Sequence, residues 1–503
     1  MLKLSLPLAG LSVLSLAMAL LREMIIAAKF GAGRSVDAYL VAALYPTFIS
    51  SVFTSVVSGT VVPVFHAAAI EGDAVLQRYT AALWTSSLVV LLIAGVIISV
   101  ALHPLLSLTA PGFDHQSRLL SSGLAFVMLP GGVMAGLTGC VGAVLNARKS
   151  FVVPALVTVV SSAAIAACTL ALGGRLGVLA IALGSVVGSA MSLILVWASA
   201  TSNGIRLRIG PVLGNSHIQL TARLSAPLVL GVVTTYATLF VDRAMASNLP
   251  TGSIAALSYA DKIVRLPESI LMLTIPVVLF SYLAESSAAR DLRRMNQLTS
   301  LGVVVMVLLL LPVTFVFLLL ARPLVTVLFA RGVFDNHAVE GTSRALIGYG
   351  FGLVFLGLGY VFPRVLMALR QTLTIGLLGC LNVGLKLLLN SLLIPLLAHQ
   401  GIALASSLMY LITDGAFVLL LWRAGIRVRL RVLLTALLAG TFAGLAIVGA
   451  AHVSDWFSWS ALAELAMGAV GGLLAILVMY RLGVLRRLLE EGERDGSSVP
   501  SAT

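Results

Sequence analysis

The residues of this chain with chemistry to do are ionised side chains set inside long apolar runs. They are Arg22, Glu23, Asp37, Asp242, Arg243, Asp261, Lys262, Arg265, Glu268, Arg344, Arg364 and Lys386, followed by Asp414 and Glu464. A charge at the middle of a bilayer costs about 2.5–3.5 kcal/mol even on the lenient insertion scale, so such groups usually face an internal cavity. Asp261, Arg265 and Glu268 are spaced by four and three, which puts them along one helical face, with Lys262 adjoining. Arg22, Lys262 and Arg265 give the cavity a cationic balance. Arginine can hold two oxyanion oxygens at once and lysine acts as a point charge, so in a water-poor place these residue types suit an anionic, oxygen-rich group. Simpler readings stand beside this one. Arg22 can snorkel to the interface, paired with Glu23 or Asp37; Asp261 and Lys262 can form a neutralised packing pair; Arg344, Arg364 and Lys386 read first as structural groups.

The elements that must position these charges follow from composition. Of 503 residues, 59% are apolar and 10% charged, against about 25% charged in soluble domains. A membrane span needs about 20 mostly apolar residues as a helix, because every backbone group must be satisfied within the segment. That ruler gives spans near 4–28, 36–66, 79–102, 119–145, 151–172 and 176–200, then 218–246, 253–284, 298–320, 340–368, 373–397 and 400–422, and finally 432–450 and 460–480. The predicted fold is therefore all-α and integral to the membrane, with about 14 transmembrane helices.

An internal echo arranges them. Leu4-Ser5-Leu6-Pro7 returns as Leu224-Ser225-Ala226-Pro227, Pro46 falls on Pro267, Gly177-Val178 on Gly401-Ile402 and Trp197 on Trp422, at offsets held between 220 and 225. Duplication of this kind is how many secondary transporters are built. It predicts two six-helix lobes, 1–205 and 206–428, two additional helices within 429–487, and a disordered cytoplasmic tail over 488–503. Basic residues concentrate in one set of loops, among them Arg148, Lys149, Arg290, Arg293, Arg294 and Arg423, while the opposite set holds Lys29, Arg34, Arg118, Arg175, Arg322 and Arg331. The positive-inside rule then puts both termini in the cytoplasm. The net charge of +13 is absorbed by this bias and by anionic lipid, so nucleic acid is not implied. Lys3, the apolar run and Ala17-Met18-Ala19 imitate a cleavable signal, but cutting there would destroy the match to the span beginning at Leu224, so an uncleaved first helix is expected. Pro46, Pro63, Pro267 and Pro276 are expected to bend their spans. Gly132 with Gly136, Gly184 with Gly188 and Gly468 with Gly472 are expected to let helices approach closely.

Several chemistries are set aside. None of the five lysines follows a glycine, so the chain has no phosphate-binding P-loop. Cys140, Cys168 and Cys380 are too scattered to suggest a disulfide framework or zinc site, and the seven histidines mostly sit at span ends. Neither a metal nor a cofactor is expected. The outer loops offer only Asp114 and Asp335 as catalytic acids, so no covalent chemistry is expected either.

Beyond these general signals, Phe30-Gly31-Ala32-Gly33 followed by Asp37-Ala38-Tyr39, Pro46 and Val62-Pro63 resembles the opening of the MurJ/MviN family of lipid II flippases. Ala110-Pro111-Gly112-Phe113, Gly142 to Asn146, Tyr259-Ala260-Asp261-Lys262 with Leu266-Pro267, and Leu328-Phe329 through Gly332 to Phe334 extend the likeness along the chain. The resemblance implies a member of the multidrug/oligosaccharidyl-lipid/polysaccharide exporter superfamily. Such a protein moves a polyprenyl-diphosphate-linked saccharide outward by alternating access, with a cationic cavity for the diphosphate and a groove at the last two helices for the lipid tail. On the matching positions it implies substrate-binding roles for Arg22, Lys262 and Arg265, and gating or cavity roles for Glu23, Asp37 and Asp261. Asp242, Arg243 and Arg364 are lesser candidates. The chain departs from the family's pattern at Leu16 and at Ser50-Ser51, where the family carries arginines. An exopolysaccharide or surface-glycan repeat unit therefore stays open as the substrate, as does a drug/cation antiporter.

Overall fold

The computed structural model describes residues 2–205, 207–212, 214–272, 275–428 and 430–456. Among these residues there is no strand, as expected for backbone in lipid, where a helix satisfies its own hydrogen bonds. Among the described residues, eight helical stretches are long and apolar enough to cross a membrane, or up to ten when each of two bent pairs is one span. The expected spans up to 432–450 each fall on a described helix, helix pair or helix arm. The difference in number arises where a span is broken into shorter helices, or where two predicted spans run together. The predicted span near 460–480, the Gly468–Gly472 pair and the tail lie outside the described residues.

The chain divides into two compact units, Met1–Ala255 with Arg331–Ala338, and Ala256–Ala330 with Val339–Thr503. The first holds α1 (Leu2–Phe30), α2 (Arg34–Ala42), α3 (Leu44–Glu71), α4 (Asp73–Thr109), α5 (His115–Ala147), α6 (Val152–Leu176), α7 (Leu179–Ser202) and α8 (Ser216–Ala246). Here α5 is the centre, packed on α2, α3, α4 and α7. Its glycines are the reason. A Cβ at Gly132 would lie 2.7 Å from the Pro46 Cα, one at Gly136 2.7 Å from Leu91, and one at Gly139 2.1 Å from Thr54, so only a bare backbone lets α3 and α4 come this close. The expected close approach at Gly132 and Gly136 is thus present. Val61, Val64, Phe65, Tyr79, Val141 and Val144 fill the buried cluster beside this contact. Helix α8 packs on α3 and α4 within this unit, its Tyr236 and Phe240 meeting Phe48 edge-on.

The second unit takes up α9 (Ser253–Met272) from Ala256 onward, then α10 (Ile275–Ala288), α11 (Leu292–Leu319), α12 (Ala321–Phe329), α13 (Asn336–Gly350), α14 (Leu353–Ala368), α15 (Thr372–Arg423) and α16 (Leu430–Trp456). Helix α11 is its hub, meeting α10, α14 and α16. What runs as one 52-residue helix in α15 is two, because Ala398 leaves helical geometry at φ 49°, ψ −131°. The two spans predicted over 373–397 and 400–422 are its two arms.

Pro63 and Pro267 lie inside α3 and α9, and the break in the second predicted span comes at Ala43, ahead of Pro46. Proline is tolerated in the first helical turn, where its missing N–H has no partner to lose, so Pro46 starts α3 rather than bending it. In α13–α14 the 43° bend falls at residues 351–352, before Pro363.

Candidate functional site

In the first unit, the charges predicted on the first two spans do two different jobs. Arg22 and Glu23 are neighbours on α1 and close on each other, Arg22 Nη2 lying 2.5 Å and Nε 3.2 Å from Glu23 Oε1, with both side chains mostly buried. Tyr39 of α2 is near enough to feel both charges. Asp37 is 4% exposed and turned elsewhere. Its Oδ2 accepts the Gly252 N–H at 2.6 Å and its Oδ1 the Ala255 N–H at 2.7 Å. These are donors at the start of α9, where the first N–H groups of a helix have no internal partner and the helix dipole favours a negative charge. Gly252 is required for this approach. Its φ is +93°, and a Cβ there would meet the Ala32 carbonyl oxygen at 2.4 Å. The short Gly-Ala-Gly turn before α2 and the glycine before α9 are therefore parts of one contact.

Around it lies a cavity of about 150 Å³, bordered by Arg34, Asp37, Phe113, Asp114, Ser247 and Thr251. Arg34 Nη1 lies 2.9 Å from Asp114 Oδ2 at its rim, and Asp114 also accepts the Ser117 N–H, capping α5. Hydrogen bonding from Ser117 holds the Asp114 carboxyl below the usual carboxylate range. Arg243 of α8 donates to the Ile254 carbonyl at 3.0 Å and acts electrostatically on Asp37, while Asp242 is half-buried.

In the second unit, the face predicted on α9 is present. Arg265 Nε donates to Asp261 Oδ2 at 2.8 Å and its Nη1 lies 3.8 Å from Glu268 Oε2. Lys262 is half-buried beside them. Glu268 also accepts the hydroxyl of Tyr360 on α14, next to a void of about 10 Å³ bordered by Met306, Leu310 and Gly357, room for about one water. Sequence reasoning missed Tyr360, although a signal was available: a tyrosine hydroxyl inside an apolar run must find a partner. Arg364 sits over the Phe280 ring at 6.0 Å, a cation–π contact rather than an ion pair. Arg344 pairs with Glu340 at 2.8 Å on an exposed face.

The cations thus arrive already matched. Arg22 has Glu23, and Arg265 has Asp261 with Glu268. Arg265 has 57% of its side chain exposed against 19% for Arg22. Among the described residues no group of three or more His, Cys, Asp or Glu side chains is arranged to hold a metal.

Long apolar helices, a hub helix in each unit and charges held within the spans define a multi-pass membrane transporter fold. The same fold occurs in a solved lipid II flippase MurJ in an inward closed conformation, at a TM-score of 0.80 and 20% identity, covering 95% of this chain and 99% of that one. It also occurs in an inward-facing multidrug resistance MATE transporter of the MOP superfamily, at a TM-score of 0.67 and 13% identity over 81% of this chain and 97% of that one. The family model described as lipid II flippase MurJ matches residues 26–478, and the chain belongs to that family. Similar relatives include a lipid II flippase MurJ of Burkholderia cenocepacia, 26% identical over 79% of each chain, and probable lipid II flippases MurJ of Synechocystis, 28% identical over 78% of this chain and 76% of the relative, and of Rickettsia prowazekii, 21% identical over 80% of each. The resemblance drawn from the glycine turn, Asp37 and the Tyr-Ala-Asp-Lys segment is borne out.

Proposed function

We infer that this chain is a lipid II flippase, moving the polyprenyl-diphosphate-linked wall precursor from the inner to the outer leaflet by alternating access. The observation that carries this reading is the family match over residues 26–478. The charge chemistry supports it. Arg22, Lys262 and Arg265 are the cations proposed to hold the diphosphate, exchanging carboxylate partners for phosphate oxygens. Glu23, Asp37 and Asp261 are the acids proposed to take those cations back, or to hold helix ends, when the ligand leaves; Asp242, Arg243 and Arg364 are secondary. The six-helix lobes at 1–205 and 206–428 are proposed to be the bodies that rock, with 429–487 serving the lipid tail. The protein works in the bacterial inner membrane with both termini in the cytoplasm and carries out no covalent step.

The test is a strain depleted of its own flippase and complemented with this chain. Wild type is expected to prevent accumulation of lipid II in the inner leaflet. Arg265→Ala and Lys262→Ala are expected to fail while reaching normal membrane levels; full complementation by both would overturn the assigned site. One observation favours a second substrate. Leu16 and Ser50-Ser51 stand where the family resemblance implies arginines, which leaves fewer cations for a doubly charged headgroup. If the chain leaves lipid II stranded but restores a surface glycan in a strain lacking that export step, the repeat-unit flippase is the correct reading.

A further inference from the structure

Lys386 is the most deeply buried cation among the described residues, with 1% of its surface exposed. It lies on the first arm of α15, and its ammonium donates to the Ile402 carbonyl at 3.1 Å and to the Ser406 hydroxyl, both on the second arm. In a straight helix, residues 386 and 402 would stand about 24 Å apart, beyond the reach of a lysine. The contact exists because the chain folds back at Ala398, so the ammonium ties the two arms together. Ser406 is oriented by its own hydrogen bond to the Ile402 carbonyl at 3.2 Å, and fully buried Asn390 lies one turn beyond Lys386.

Packing alone does not require a cation here. In the first unit, α6 and α7 form a hairpin whose turn at Gly177 has φ 57° and ψ −142°, close to the values at Ala398, 221 residues later. At that spacing the residue matching Lys386 is Ile165, whose backbone rests against Gly184. The residue matching Ser406 is Ser185, whose hydroxyl bonds only within its own helix, to the Ala182 carbonyl at 2.7 Å. One hairpin closes with an apolar side chain and the other with a positive charge held by oxygens. Carbonyl and hydroxyl oxygens converging on a single positive charge are the donor set that small alkali cations also use. A buried charge is kept only when such partners compensate its desolvation.

We propose that the Lys386 ammonium is a tethered cation filling an oxygen site of the kind that binds a small monovalent ion such as Na⁺, so that this hairpin closes without any ion from solution. The inference concerns the second unit alone and stands whichever lipid-linked substrate the protein moves.

The experiment is thermal unfolding of the purified full-length protein in NaCl, KCl and choline chloride at equal ionic strength, together with binding of radioactive Na⁺. Wild type is expected to show one Tm in all three salts and no Na⁺ bound at this locus. Lys386→Ala is expected to melt lower in choline and to recover saturably as Na⁺ replaces choline, with Na⁺ bound in the variant, and Ser406→Ala added to it should abolish the recovery. Lys386→Met, which fills the space without charge, is expected to melt lower in every salt. The proposal is overturned if Lys386→Met matches wild type, if Lys386→Ala responds to all three salts alike, or if wild type itself is stabilised by Na⁺ through Ser406. Failure to recover folded Lys386→Ala and Lys386→Ser in any salt also overturns it, because sodium rescue is its central expectation.

Discussion

The hairpin α6–α7 and the two arms of α15 turn through nearly the same backbone geometry and are held shut by opposite means. In the first, Gly184 and Gly188 let the helices touch backbone to backbone, with a Cβ at Gly184 falling 2.9 Å from the Ile165 Cα and one at Gly188 3.0 Å from the Ser161 Cα. In the second, Ala405 and Met409 stand at the corresponding positions, and closure runs through Lys386, Ile402 and Ser406. Glycine contact depends on shape and dispersion, which are insensitive to charge. An ammonium cage depends on every oxygen being in place. The turns differ in the same sense: Gly177 adopts a positive φ without penalty, whereas Ala398 holds φ 49° with a Cβ. The two hairpins therefore close by different means, one by packing and the other by a polar lock at a strained turn.

The largest expected effect comes from breaking the packed hairpin. Gly184→Leu puts a side chain into the Ile165 backbone and should cost about 3 kcal/mol or more, seen as loss of monodisperse protein on size-exclusion chromatography. Next is Ser406→Ala, which removes one oxygen from a buried charge and should cost about 2 kcal/mol, measured as a lowered Tm. The matching change Ser185→Ala should be nearly silent, since it leaves no charge behind; equal effects at the two serines would erase the distinction drawn between the hairpins. Gly177→Ala imposes on the first turn the strain the second already carries and should cost about 1–3 kcal/mol. Smallest is Ala398→Gly, where relief of that strain is partly offset by about 0.4–1 kcal/mol of extra unfolded-chain entropy, so a small rise in Tm is expected.

Much of the fold was legible because long apolar runs have few solutions in lipid. The spans, the central glycines of α5 and the shared face of Asp261, Arg265 and Glu268 all follow from local period and composition. The turn of the second hairpin was legible as the gap between the spans 373–397 and 400–422, where Ala398 leaves helical geometry. The match of Gly401 to Gly177 does not mark it, since a glycine suggests a turn but does not oblige one. Among the candidate charges, the neighbouring pair Arg22 and Glu23 and the shared face of Asp261, Arg265 and Glu268 were legible, and the distant partners were not. Nothing local shows that Asp37 reaches Gly252, that Glu268 takes the Tyr360 hydroxyl, or that Lys386 crosses to Ser406.

Read alone, the 503 residues determine a helical membrane protein, its family and which charges have no business in lipid, because hydrophobic length and unpaired charge carry their cost at whatever position they occur. Only the tertiary structure decides what Asp37, Glu268 and Lys386 touch. Their partners lie from 16 to 218 residues away in the chain, and a hydrogen bond depends on distances of a few tenths of an ångström that no spacing rule contains.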